Sequence, residues 1–324
     1  MPSPSDGDPL SCTAGLPLHH RHGRHGDSGP TGGVKRRSRG GRLCGVLAGA
    51  GLAALALGGC DTGGGGTTGR ATASVQPAAP HSTSATAPSW HKWGLRPLLA
   101  APPPPHDKPI KLFATGTVPV ITRVPTSQKV VFITIDDGLE KDPHFVEMMR
   151  DLKIPITMFL MNDVIRSDYG YFRQLQALGN HIQNHTLHHP VMSALPLTRQ
   201  REEVCGDQKR LTKEYGTAPL LFRPPYGAYN HDTKTAVGAC GPRAIVWWRE
   251  FTQVNTIAYQ LPDRKLRPGD IILVHFRGPA QLKGDPMTRM FANLLKRIQE
   301  QGFAVARLED YIQPPAGATP RAAK

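Results

Sequence analysis

From Lys129 onward the chain alternates short β-branched runs with longer segments whose apolar positions recur every three or four residues. Residues 130–135 (VVFITI) read as a buried strand, and 143–151 as a helix with Pro143 in its first turn. A strand is predicted over 154–160. A helix over 168–178 ends at Gly179, where a left-handed residue is needed. Strands over 181–183, 220–222, 244–247, 270–275 and 303–305 alternate with helices over 197–215, 230–239 and 286–301. Residues 110–126 alternate as a short hairpin leading in. Strand and helix thus alternate about seven times, which predicts a parallel α/β domain, open sheet or barrel. In either architecture the functional groups gather after the strand C-termini.

The first hundred residues obey no such pattern. Residues 1–34 are rich in Gly, Pro, Ser, His and Arg and read as disordered. A basic stretch, Lys35-Arg36-Arg37-Ser38-Arg39, precedes an uncharged apolar run over 43–59, which has the form of an export signal or of a retained anchor helix. Leu57-Gly58-Gly59-Cys60 resembles a bacterial lipobox, which implies cleavage before Cys60 and acylation of its thiol. The expected organisation is a leader and signal over 1–59 and a Gly/Pro/Ser/Thr-rich tether over 60–109. The folded domain would follow over 110–314, with a disordered tail over 315–324. Trp90 and Trp93 fit a packed extension or a contact with lipid. The protein is expected outside the cell, lipid-anchored on the outer face of the bacterial cytoplasmic membrane, and monomeric.

Composition narrows the partners. The formal net charge is +14, yet no periodic Arg/Lys motif with interleaved aromatics appears, so an anionic wall or membrane is the expected counterpart and nucleic acid is not. The five cysteines form neither a zinc ribbon nor a dense disulfide scaffold.

The polar clusters fall where a parallel sheet puts function. Asp136-Asp137-Gly138 ends the first buried strand, and two adjacent carboxylates beside an apolar core call for a cation or a proton-transfer task. In His185-Thr186-Leu187-His188-His189-Pro190, His185 and His189 are four apart, so one helical turn would put both imidazoles on one face while His188 points elsewhere. Two histidines and a carboxylate leave coordination positions open on a divalent ion. Zinc fits that set, and Co, Ni or Fe(II) suit the same ligands. Arg223-Pro224-Pro225-Tyr226-Gly227 is a stiff loop after a strand, and Arg223 could hold a carboxylate in place. His275, at the end of Leu273-Val274-His275, could donate a proton.

These segments together resemble the polysaccharide deacetylases with the NodB homology domain, the carbohydrate esterase family 4 type. Thr134-Ile135-Asp136-Asp137-Gly138 resembles the family's (T/S)FDDG, the histidine segment its H(S/T)xxHP, Arg223 to Gly227 its RxPxG, and Leu273-Val274-His275 its LxH. The resemblance spans about residues 129–312 and implies a distorted (β/α)7 barrel. It implies Asp137, His185 and His189 as metal ligands, Asp136 as general base and Arg223 as the group orienting it. The Tyr226 backbone N–H would be an oxyanion donor and His275 the general acid. One motif departs: where the family has roughly DxxDW, this chain offers Glu250, Gln253 and Val254, and Phe276 follows His275 where Asp is common. Either Glu250 or Gln253 is then the candidate partner of His275.

The implied activity is removal of N-acetyl groups from an acetylated amino-sugar polysaccharide, peptidoglycan ahead of chitin-type oligomers. O-acetyl esterase action on wall polymer or xylan is the alternative, and an inactive wall-binding lipoprotein the third reading. Cys205 and Cys240, on helices flanking one strand, fit either a disulfide or two buried thiols.

Overall fold

A computed structural model of the chain describes residues 87–317. The leader, the signal segment, Cys60, the first part of the tether and the tail from 318 lie outside the described residues. The helices are α1 (Ala87–Lys92), α2 (Pro143–Leu152), α3 (Asn162–Ile165), α4 (Tyr169–Ala177), α5 (Leu197–Tyr215), α6 (His231–Cys240) and α7 (Met287–Glu300). The strands are β1 (Ile110–Lys111), β2 (Val120–Ile121), β3 (Val130–Asp137), β4 (Thr157–Leu160), β5 (His181–Asn184), β6 (Leu221–Phe222), β7 (Ala244–Val246), β8 (Glu250–Thr252), β9 (Ile257–Tyr259), β10 (Ile271–His275), β11 (Ala304–Val305) and β12 (Ile312–Gln313).

The main sheet runs β2-β7-β6-β5-β4-β3-β10-β8-β9, with β11 added beside the start of β3. Every neighbouring pair is parallel except β8 and β9. The sheet curls into a distorted, incomplete barrel. An antiparallel bridge, Arg123 to Asp270, links the segment after β2 back to the start of β10. That link needs a glycine: a Cβ on Gly269 (φ +84°) would lie 1.9 Å from the carbonyl oxygen of Val124.

β3 explains the layering. Val131, Ile133 and Ile135 pack outward with apolar residues of α2, α4 and α7, whereas Val130 and Phe132 pack inward with Phe159, Leu221, Val246 and Tyr311. A strand buried on both faces must read as an unbroken apolar run, as this one does. The period of two then puts Thr134 and Asp136 on the inner face with Phe132.

Three expectations change. Residues 110–126 form no hairpin: β1 pairs in parallel with β12 in a separate two-stranded sheet, and β2 pairs in parallel with β7 at the edge of the main sheet. β8 and β9 form an antiparallel hairpin that periodicity does not predict over such short segments. The folded body also begins before residue 110. Trp90 and Leu95 are each only 5% exposed, Lys92 pairs with Glu147 and Asp151 of α2, and the Trp93 indole donates to Asp151 at 2.9 Å. The tryptophans thus dock on α2. Among the described residues no helix is long and apolar enough to cross a membrane.

Cys205 of α5 and Cys240 of α6 are disulfide-bonded, with Cα atoms 4.7 Å apart. The thiol alternative is set aside.

Candidate metal centre

Arg223 is the keystone of the inner face. Its side chain is fully buried, and its guanidinium donates to Asp136 Oδ1 at 2.7 Å, Thr134 Oγ1 at 2.8 Å and the carbonyl of Val246 at 3.0 Å. The rings of Phe159 and Trp248 lie 4.3 and 5.6 Å from its centre. A buried cation is tolerated only when its donors are so occupied. Asp136 is thereby held in one orientation, with its other oxygen 3.8 Å from His185 Nε2.

Asp137 should face away from Asp136 by strand alternation. Its φ of 72° breaks the alternation, so the second carboxylate also turns to the histidines. The Nε2 atoms of His185 and His189 each lie 3.3 Å from Asp137 Oδ1, off the line a hydrogen bond requires, and that buried oxygen has no bonded partner. One ligand atom from each residue falls within 4.8 Å of the others. His185 Nδ1 lies 2.7 Å from the carbonyl of Arg223. A carbonyl only accepts, so Nδ1 carries the proton and Nε2 presents its lone pair to the centre. An orphaned carboxylate oxygen beside the Nε2 atoms of two histidines is a donor set a divalent cation takes, and the residues fit one.

Burial opposes the charge on Asp137, but the neighbouring His185 and His189 outweigh it and hold the carboxyl well below its usual range. Burial likewise works against protonation of His185, and Asp136 and Asp137 reverse it, raising that imidazole above its ordinary value. His275 lies in register with Asp136 on the adjacent strand; there burial wins over both carboxylates and its pKa is lowered.

All seven residues read from the sequence gather at this end of the barrel, but the histidine pair does so by a different route. Residues 185–189 are not helical. Thr186 (φ 75°) and His189 (φ 59°) adopt left-handed backbone, and this folded loop brings the two rings to 5.0 Å between centroids. His188 points away, to Glu203 at 2.8 Å. Tyr226 sits at φ 60° in the 3-10 turn Pro225–Gly227, with its exposed ring edge-on to His189 at 4.7 Å. Trp247 buttresses that turn: its indole donates to the Gly227 carbonyl at 3.1 Å, and a Cβ on Gly227 would lie 2.6 Å from the same nitrogen.

The departures from the expected motif gain physical causes. Phe276 is fully buried, edge-on to Phe145 and Phe172, so a carboxylate there would enter the core. Glu250 does not reach His275. It pairs with Ile272, three residues earlier on β10, and its electrostatic partners are Asp270, Arg123 and Arg249. Gln253 is exposed and contacts Thr256 across the β8–β9 turn.

Two carboxylates escaped the sequence reading. Glu203 accepts from the backbone N–H of Leu187 at 3.1 Å and of His188 at 3.0 Å, and Asp207 accepts from that of His185 at 3.2 Å. Both lie on the buried stripe of α5 with Gln200, Val204, Gln208 and Leu211. Acidic residues at the inward positions of an amphipathic helix are the signal that would have found them.

Known proteins resemble this chain in sequence and in fold. The family model for polysaccharide deacetylase matches residues 123–245. An uncharacterized protein of Streptomyces coelicolor is 40% identical over 195 residues, covering 60% of this chain and 77% of that one. A peptidoglycan-N-acetylglucosamine deacetylase of Bacillus cereus is 24% identical over 203 residues, covering 60% of this chain and 93% of that one. The solved chitin deacetylase of the fungus Colletotrichum lindemuthianum shares the fold with a TM-score of 0.53 at 16% identity, covering 65% of this chain and 98% of that one. The chain belongs to the polysaccharide deacetylase family, carbohydrate esterase family 4 with the NodB-type domain, and is a deacetylase hydrolase.

Proposed function

We propose that this deacetylase removes N-acetyl groups from the amino sugars of an extracellular polysaccharide, peptidoglycan ahead of chitin-type oligomers, with a divalent metal held by Asp137, His185 and His189. The observation that carries the reading is the convergence of those three ligand atoms beside an Asp136 tied down by Arg223. Zinc is the ion we assign. When bound, it would act as a Lewis acid toward water and the acetamide carbonyl.

The chain's own residues then divide the proton work. Asp136 takes a proton from water as oxygen attacks the carbonyl carbon, and Arg223 keeps that carboxylate aimed. The Tyr226 N–H donates to the carbonyl oxygen as it gains charge. His275, in register across from Asp136, gives a proton to the amide nitrogen as the carbon–nitrogen bond breaks. Acetate and a free amine leave. The B. cereus relative, named for action on peptidoglycan, supports the choice of polymer. Export and anchoring through an acylated Cys60 belong to the same proposal and rest on the sequence of residues 35–60.

The test is acetate release from a panel of N-acetylated glycans and O-acetylated polymers, with bound metal quantified in each preparation. Release from peptidoglycan fragments by metal-loaded protein is expected. Acetate from esters alone would replace this reading with O-deacetylation, and none from any substrate would leave a binding protein.

A further inference from the structure

The loop that carries both candidate histidine ligands has neither helix nor sheet to hold it, yet each of its five consecutive backbone N–H groups has a side-chain acceptor. His185 donates to Asp207 at 3.2 Å, Thr186 to Asn184 at 3.1 Å, Leu187 and His188 to Glu203 at 3.1 and 3.0 Å, and His189 to Thr186 Oγ1 at 3.0 Å. Three of the five end on two carboxylates one turn apart on α5, and Asn184 is itself fixed to the Val204 carbonyl and to Gln208 on that helix. Two of the five residues sit at positive φ without being glycine. Such backbone persists only when its surroundings over-determine it.

We infer that Glu203 and Asp207 are positioning residues for the metal: α5 clamps the strained 185–189 loop and so sets the separation of the His185 and His189 nitrogens before any ion arrives. The inference rests on the metal reading above and extends it to residues outside the ligand set. Neither carboxylate belongs to the three converging ligand residues: Glu203 spends both oxygens on loop amides and the His188 ring, and Asp207 Oδ2 accepts from the His185 amide while its Oδ1 is buried without a hydrogen-bond partner. Supports of this kind typically tune metal affinity by about 10- to 100-fold.

Chelator-competition titrations of Zn(II) and Co(II) on the purified chain test it. Glu203→Met keeps the bulk of the side chain but leaves two amides without an acceptor, and should weaken metal binding by about 10- to 100-fold. Glu203→Gln keeps an acceptor oxygen and should recover most of that loss, which a role in helix packing alone would not explain. His188→Ala, which removes only the ring contact, should stay within about threefold. Affinity for Glu203→Met within threefold of wild type, or a loss in Glu203→Gln as large as in Glu203→Met, overturns the inference.

Amide hydrogen exchange on the metal-free wild type is the second measurement and depends on no variant folding. Amides 185–189 should be protected to the same order as those of β5. Exchange at exposed-loop rates would show that nothing holds the loop in advance. A wild-type chain that binds neither ion overturns the metal reading and this inference with it, whereas tight wild-type binding unaffected by Glu203→Met overturns only this one.

Discussion

Arg223 and Asp136 form a buried ion pair of 2.7 Å on the inner face of the sheet, beside Thr134 and the apolar side chains of Phe132 and Phe159. Removing one partner of such a pair leaves the other charge stranded, at about 3–5 kcal/mol. Arg223→Met should therefore lower unfolding stability by about that amount in urea titrations. Arg223→Lys should fold better than Arg223→Met yet turn over poorly, because one ammonium cannot bond Asp136, Thr134 and the Val246 carbonyl together. Wild-type stability in Arg223→Met would contradict the pair's role in the fold.

Asp136 and Asp137 are adjacent in sequence but differ in partner, one bound to a guanidinium and one facing two imidazoles. Asp137→Ala, His185→Ala and His189→Ala should each strip most of the metal and nearly all activity. Asp136→Asn should keep the metal and lose about 10²- to 10⁴-fold in turnover, the range of a lost general base. Elemental analysis of the four variants beside their rates decides it. Metal loss in Asp136→Asn equal to that in Asp137→Ala would mean the roles were divided wrongly.

The positions of these residues were legible because four polar clusters each followed an apolar strand, and the helix expected over 197–215 is present over those residues. The path of the histidine loop was not legible. A spacing of four implies a helical turn, and left-handed backbone at Thr186 and His189 leaves no mark in residue type, since neither is glycine. Glu203 and Asp207 were hidden for another reason. On a helix with many charged residues they read as solvated face, and only their positions on the stripe of Val204 and Leu211 separate them. The pairing of residues 110–126 was beyond local pattern altogether, because β1 and β2 find partners about 200 and 125 residues away.

The Cys205–Cys240 disulfide ties α5, the helix that carries Glu203 and Asp207, to the end of α6 across 35 residues. Closing a loop of that length stabilises a fold by about 3–4 kcal/mol in the chain-entropy account. Cys205→Ala with Cys240→Ala should lower unfolding stability by up to that amount and leave the fold intact. Alkylation of the folded, unreduced wild type followed by mass spectrometry should label neither cysteine. Labelling of both would remove the disulfide.

Glu250 is the residue that stood nearest to replacing the missing carboxylate partner of His275. It lies instead beside Asp270, whose carboxylate takes two contacts from Arg123 at 2.6 Å and the N–H of Arg267 at 2.6 Å. With those donors spent on Asp270, burial first and the Asp270 charge second push the Glu250 carboxyl up to about 8, against the pull of Arg123 and Arg249. A raised folded-state pKa means the folded protein holds this proton more tightly than the unfolded chain does. The stabilisation is complete below the unfolded value of 4.5 and is lost progressively as pH rises through about 8. Wild-type melting temperature should accordingly fall by a few degrees relative to Glu250→Gln between about pH 5 and pH 9, because the amide of that variant never ionises. Glu250→Gln should also leave the rate on an N-acetyl substrate within about twofold, since Glu250 reaches no group of the metal centre. Gln253→Asp adds a charge at an exposed turn and should change that rate equally little. Parallel melting curves for wild type and Glu250→Gln across that range, or a large rate loss in Glu250→Gln, would return Glu250 to the role of supporting His275.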